Sequence, residues 1–389
     1  MPRLPLARAP FLLGFVFLLC LITYRYIYDL NFVSVTLSDL LGIDDGVDRS
    51  IYGLTYVDDS FKYEKTLLDG TLLFTFHGGL GLDVFSIFAR IFSSVVHPSL
   101  SIIFLNCILI FFLYRRLSCL NHCVLVVFVP YMGMLAATLN KELYTVYTLL
   151  ELPFVLSMLF SFSPKSILNC LSGRVRVRIL DSFSCIVFFF SFLCLILSRP
   201  GIILALLSFF LLLNSLFSVH SLRISRNLPF AILACFAGVL TFVFLFPSLI
   251  RLAGSWDASK NLEGLSFFSI PVNLLYSLSA PFPQPLLQLN LIFDMSPLDL
   301  YCWFALLLLS LASVVRILFC FGRLEAAFRF ASLKNHGTYL LALALLSAYI
   351  GFRGDEITRQ LATISIPSLL LFYYYFQSYR FWGIPFAQK

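Results

Sequence analysis

The chain has 389 residues, 60% of them hydrophobic and 12% charged, with a mean hydropathy of +0.93. That composition excludes an ordinary water-soluble domain and points to a polytopic membrane protein. The net charge of +7 is scattered over short loops, with no basic patch interleaved with aromatics. It therefore argues for membrane orientation and against nucleic-acid binding.

A helix crosses the hydrocarbon core with about 20 mostly apolar residues, and about ten runs here qualify. They are 10–28, 98–114, 122–139, 142–162, 180–198, 200–219, 228–249, 299–321, 337–352 and 360–377. The runs are continuous rather than alternating with period two, so they are helices and not barrel strands. The expected fold is all-α: a single transmembrane domain over residues 1–389.

Arg3 and Arg8 precede the first span, and no small-residue cleavage site follows it, so it reads as an uncleaved anchor. Residues 29–97 then form a first outer loop. It holds Asp29, Asp39, Asp44, Asp45, Asp48, Asp58, Asp59, Glu64 and Asp69. Within it, Tyr56-Val57-Asp58-Asp59-Ser60-Phe61-Lys62-Tyr63-Glu64 is a candidate for chemistry. One of two adjacent carboxylates keeps a raised pKa beside the other, which suits a general base. A solvated acidic loop is the plainer reading. Residues 71–96 include His77, Asp83 and Arg90 and are nearly apolar enough to span. Counting them as a span would invert every later loop, so they read as interfacial helices.

The second span ends in Arg115-Arg116. Asn140-Lys141-Glu142 joins the third and fourth spans with almost no loop. Charges in so tight a hairpin need a partner or a wet site. Either they form a helix-end ion pair, or Lys141 holds a diphosphate with Glu142 orienting it. Glu151, beside Pro153 in the fourth span, either lines a cavity shared with the outer-face charged groups or is a paired structural carboxylate. Lys165, Arg174, Arg176 and Arg178 lead to the fifth span. Ser198-Arg199-Pro200-Gly201 joins the fifth and sixth. Pro200 suits the first turn of a helix. Arg199 is placed either for bidentate phosphate binding or to snorkel at the interface.

Arg223 and Arg226 precede the seventh span. Residues 250–298 form a second long outer loop with Pro271-Val272-Asn273 and Ala280-Pro281-Phe282-Pro283-Gln284-Pro285. Its prolines lower loop entropy, as in an ordered cover over a cavity; a connector is the alternative. Arg323, Arg329 and Lys334 follow the eighth span. Between the ninth and tenth, Arg353 and Arg359 bracket Asp355 and Glu356. Collecting the basic loops on one side makes both termini cytoplasmic and places all these candidate groups on the outer face.

The ten cysteines fall in spans or cytoplasmic loops, none in the two long outer loops, so no disulfide framework is expected. Cys119-Leu120-Asn121-His122-Cys123 fits no common zinc spacing. There is no P-loop and no GxGxxG, so nothing calls for a nucleotide.

The order of these features resembles that of bacterial polytopic glycosyltransferases of the GT-C superfamily, most of all repeat-unit (O-antigen, Wzy-type) polymerases. The features that carry the resemblance run along most of the chain. They are one amino-terminal span, the stretch Asp59-Ser60-Phe61-Lys62-Tyr63, interfacial helices, Arg115-Arg116-Leu117, Asn140-Lys141-Glu142, Arg199-Pro200-Gly201, Pro281-Phe282-Pro283, and Arg353 with Arg359. The resemblance implies a base at Asp59 or Asp58. It also implies phosphate contacts from Lys141, Arg199 and Arg359, with Glu142, Arg353 and Tyr63 in the same substrate-binding set. The doublet departs from the spaced acidic motif of some branches, which leaves the choice of base and any divalent metal open; no other cofactor is implied.

The function implied is glycosyl transfer at the outer face of a bacterial inner membrane, from a polyprenyl (di)phosphate-linked sugar or oligosaccharide, with polymerisation of repeat units preferred. Transfer of single sugars from a polyprenyl monophosphate is the nearest alternative. A lipid-linked oligosaccharide flippase is the rival from another class, though the chain lacks the internal repeats common in transporters. The partners implied are membrane lipid and other polysaccharide-assembly proteins such as a chain-length regulator.

Overall fold

The computed structural model describes residues 9–41, 64, 98–118, 120, 122–139, 142–161, 179–198, 200–220, 279–282, 284–287, 289–322, 336–351 and 357–381. Among them the regular structure is entirely helical. The long helices are α1 (Ala9–Leu41), α2 (Pro98–Leu117), α3 (His122–Ala137), α4 (Glu142–Ser161), α5 (Ile179–Ser198) and α6 (Pro200–His220). A short α7 (Gln284–Leu287) and a 3-10 turn (Leu289–Asp294) lead into α8 (Pro297–Gly322), α9 (His336–Gly351) and α10 (Ile357–Phe381). The expected span 228–249 and the expected interfacial helices at 71–96 lie outside the described residues.

Pro10–Leu30, Leu100–Leu117 and Pro297–Leu318 are each long and apolar enough to cross a membrane. The outward faces agree. On α1, Phe11, Phe15, Leu18, Ile22, Tyr26 and Leu30 are exposed at helical spacing, while Leu13, Leu21, Tyr24 and Tyr28 are buried. An apolar stripe of that kind is stable against acyl chains and not against water. The protein is a helical membrane protein.

The start signals are local. Proline opens α2, α6 and α8, at positions where its missing N–H is no loss. Ser296 caps α8: its Oγ accepts the Asp299 N–H at 3.1 Å and donates to Asp299 Oδ2 at 2.7 Å. Helix α3 is the hub, packing on α1, α2, α4 and α8. Its contact with α1 is the most extensive among the described helices. The two run parallel, since Cys20 meets Gly133 and Arg25 meets Ala137. Gly133 permits this approach: a Cβ there would meet Cys20 Cβ at 3.0 Å and the Leu21 nitrogen at 3.2 Å.

Helices α2 and α4 run together, away from the Arg25 end. Asn106 meets Tyr144 near that end, and Arg116 meets Glu151 further down. Helix α5 runs the other way. Its Phe183 packs on Phe112 of α2, and its later residue Phe190 packs on Tyr144.

Part of the proline-rich segment 250–298 is described, and it lies lengthwise against α8. Ser313 Oγ lies 2.7 Å from the Ser279 carbonyl and 3.2 Å from that of Ala280, and Trp303 Nε1 donates to the Pro285 carbonyl at 2.7 Å. Ser313 is about 24 Å along α8 from Pro297 at 1.5 Å per residue. Ala280 is buried there, consistent with the rule that irregular backbone at membrane depth must be enclosed by protein.

Candidate functional site

The turn between α3 and α4, at Thr138 and Leu139, is where separate segments converge. It stands below its neighbours. Helix α1 continues about 24 Å past Arg25, and α2 begins about 12 Å before Asn106, at 1.5 Å per residue. A turn at that depth must have its backbone groups paired. The Asn106 side-chain amide donates to the carbonyls of Ala136 and Thr138, at 3.1 and 3.0 Å. Arg25 Nη1 donates to the Ala137 carbonyl at 3.0 Å. The Leu139 N–H donates to Glu64 Oε1 at 3.3 Å. Three residues remote in sequence thus satisfy one helix end, and the cation sits at the negative end of the α3 dipole.

Arg25 is the centre of the cluster. Its Nη1 and Nη2 form a bidentate pair with the two Glu64 oxygens, both at 3.0 Å. Its Nε donates to Asp29 Oδ2 at 3.1 Å, and Nη2 lies 2.7 Å from Asp29 Oδ1. Every guanidinium N–H therefore has an acceptor, and none is left for a phosphate. The Tyr28 ring packs against the guanidinium at 5.0 Å. Glu64 is buried and Asp29 half exposed. Burial pushes the Glu64 carboxyl up from the usual carboxylate range, with Arg25 and the Leu139 N–H pulling it part of the way back. One cation between two carboxylates leaves the cluster acidic when all three are ionised.

Of the residues singled out in the sequence, Glu142 is fully placed. It opens α4 three positions after Leu139 of the α3–α4 turn and is 2% exposed. Arg359 lies in the first turn of α10. Arg199 stands in sequence between Ser198, the last residue of α5, and Pro200, the first of α6. Because α5 runs toward the Arg25 end, both flanking residues lie at that end. Asp58, Asp59, Tyr63, Lys141, Arg199 and Arg353 lie outside the described residues. Glu64, the last residue of the acidic stretch, is in the cluster.

Glu151 belongs elsewhere. It is 2% exposed and pairs with Arg116, whose Nη2 lies 2.9 Å from Oε2, with Phe154 against the guanidinium at 4.6 Å. Glu151 is thus a paired structural carboxylate toward the end opposite Arg25. Arg116, which reads in the sequence as a loop charge, is its partner.

Arg25 and Asn106 are the residues sequence reasoning passed over, and Arg116 it took only as a basic loop charge. Their signal was a polar side chain inside or at the edge of an apolar run, which calls for a partner. Among the described residues no group of three His, Cys, Asp or Glu side chains converges as metal ligands. The described cysteines Cys20, Cys107, Cys185, Cys194 and Cys302 are free thiols.

A comparison with known proteins found no matching family model, and neither the curated proteins nor the solved structures yielded a significant match.

Proposed function

We propose that this protein is a glycosyltransferase of a bacterial inner membrane, multi-pass with both termini cytoplasmic, working at the outer face. Its donor is a polyprenyl (di)phosphate-linked saccharide and its preferred reaction is the joining of repeat units. The acceptor hydroxyl attacks the anomeric carbon and loses its proton to Asp59, or to Asp58 beside it. The new glycosidic C–O bond forms as the bond to the lipid phosphate breaks, and the phosphate leaves with the electron pair. Lys141, Arg199 and Arg359 stabilise that developing charge, the role in which fixed cations contribute most. Glu142 orients Lys141, and Arg353 and Tyr63 complete the substrate-binding set.

The observation that supports this reading is the meeting of Glu64 with Leu139. Glu64 ends the acidic stretch, and Leu139 immediately precedes Asn140-Lys141-Glu142. Glu64, which ends the segment singled out for a base, thus meets the residue that precedes the segment singled out for a phosphate. Asp59→Asn keeps volume and removes the base. It should lower polymer formation about 100-fold or more, since a positioned general base contributes roughly 10²–10⁴. Lipid-linked glycans extracted from cells provide the readout, with single repeat units accumulating in the variant. Wild-type polymer from Asp59→Asn, Asp58→Asn and the double variant would remove the doublet from the mechanism.

One observation favours the flippase reading. The non-helical stretch at Ala280–Phe282, deep against α8, is of the kind found in transporters. Movement of a lipid-linked saccharide across vesicles holding the purified protein, without polymer, would select it.

A further inference from the structure

We propose that Arg25 and Glu64 form a clamp that fixes the chain at Glu64 to the α3–α4 turn, with Glu64 as a positioning residue for the outer-face site. The inference rests on the glycosyltransferase reading for what is positioned, but the clamp itself rests on geometry alone.

Three features distinguish this pair from an incidental ion pair. First, it ties three remote pieces of chain together. Arg25 is on α1, Glu64 is a helical residue in the chain between α1 and α2, and both reach the end of α3 through the Ala137 carbonyl and the Leu139 N–H. Second, the guanidinium is saturated. Two contacts go to Glu64 oxygens, two to Asp29 and one to Ala137, so Arg25 fixes the protein and has no donor left for a ligand. Third, Glu64 is buried and accepts from Leu139 as well as Arg25, so it cannot swing to water without stranding a backbone N–H. A bidentate arginine–carboxylate pair also sets orientation as well as distance. The loop is therefore pinned at one defined point, five residues after Asp59 and next to the segment that carries Lys141.

The experiment is limited trypsin digestion of the full-length protein in lipid nanodiscs. It is read by mass at Lys62 and Lys65, which flank Glu64 in sequence, and at Arg174–Arg178 as a remote control. Glu64→Gln keeps the shape and loses the charge. It should raise cleavage at Lys62 and Lys65 about tenfold or more, because cleavage follows the population of the opened form, and should leave the control sites unchanged. Polymer formation should fall with it, through turnover rather than donor affinity.

Arg25→Met strands a buried carboxylate and should also lower the amount of folded protein. Adding Glu64→Gln to Arg25→Met should restore that amount while cleavage at Lys62 and Lys65 stays high, which separates folding from positioning. Unchanged cleavage in Glu64→Gln overturns the clamp. An equal rise at Arg174–Arg178 overturns it too, by making the pair a general structural tie. A freed loop with wild-type polymer overturns the positioning role. If the double variant Asp58→Asn/Asp59→Asn is fully active while the trypsin result holds, the base assignment of the glycosyltransferase reading fails and the clamp stands.

Discussion

Tyr339 shows how single side chains make this bundle tolerate proline. Pro153 lies inside α4 and has no N–H, so the Leu149 carbonyl one turn earlier loses its helical partner. The Tyr339 hydroxyl of α9 donates to that carbonyl at 2.6 Å and is itself buried. Tyr339→Phe should therefore destabilise the protein by about 1 kcal/mol, the scale of a buried hydrogen bond inside a membrane protein. The effect should be conditional. In a Pro153→Ala background the new N–H reclaims the Leu149 carbonyl, and Tyr339→Phe should then cost close to nothing. Unfolding titrations of the four proteins in mixed detergent would give the coupling directly. Equal losses in both backgrounds would show that Tyr339 acts through packing alone.

At the scale of elements, the α1–α3 crossing depends on Gly133. A methyl group there meets Cys20 Cβ at 3.0 Å, so α1 must yield by a few tenths of an ångström. Gly133→Ala should be tolerated with a small loss, whereas Gly133→Leu should part the helices and cost about 1–3 kcal/mol, as overpacking does. Arg25 reaches the end of α3 across the same crossing, so Gly133→Leu should also speed trypsin cleavage at Lys62 and Lys65. Slow cleavage in that variant would mean that the loop is held independently of α1.

The helices themselves were legible because hydropathy reports them. The runs 98–114, 142–162, 180–198, 200–219, 299–321 and 337–352 correspond to α2, α4, α5, α6, α8 and α9 within a few residues. Helix α1 was not legible beyond residue 28. It continues to Leu41 through Asp29, Asn31, Ser34 and Asp39, where an apolar run has ended but a helix has not. The convergence was legible only in part. Glu64 and Glu142 were on the page as charges near the right turns. That Glu64 pairs with Arg25 depends on contacts 39 residues apart, and no local pattern carries that distance.

For the whole molecule, two separate statements combine to give orientation, and one experiment can separate them. The first is structural. The clamp ties Glu64 to the α3–α4 turn, and α2 runs from that end down to Arg116, so Glu64 and Ser118 lie at opposite ends of the bundle. The second is the expectation from the charge rule that the Ser118 end is cytoplasmic, carried by Arg115, Arg174, Arg176, Arg178, Arg223, Arg226, Arg323, Arg329 and Lys334 in the sequence. Arg116 contributes less to that rule than its neighbours, because Glu151 neutralises it. The measurement is labelling with a membrane-impermeant maleimide after the ten native cysteines have been replaced. A single cysteine at Ser50 should react from the outside, and one at Ser118, which is exposed, only after the inner face is opened. Labelling of both from the same side would contradict the expectation that residue 50 lies on the same side as Glu64. Labelling from opposite sides but in the reverse sense would leave the fold intact and invert the charge assignment. The acidic stretch and Lys141 would then face the cytoplasm, and a glycosyl transfer drawing on lipid-linked donors at the outer face would have to be abandoned.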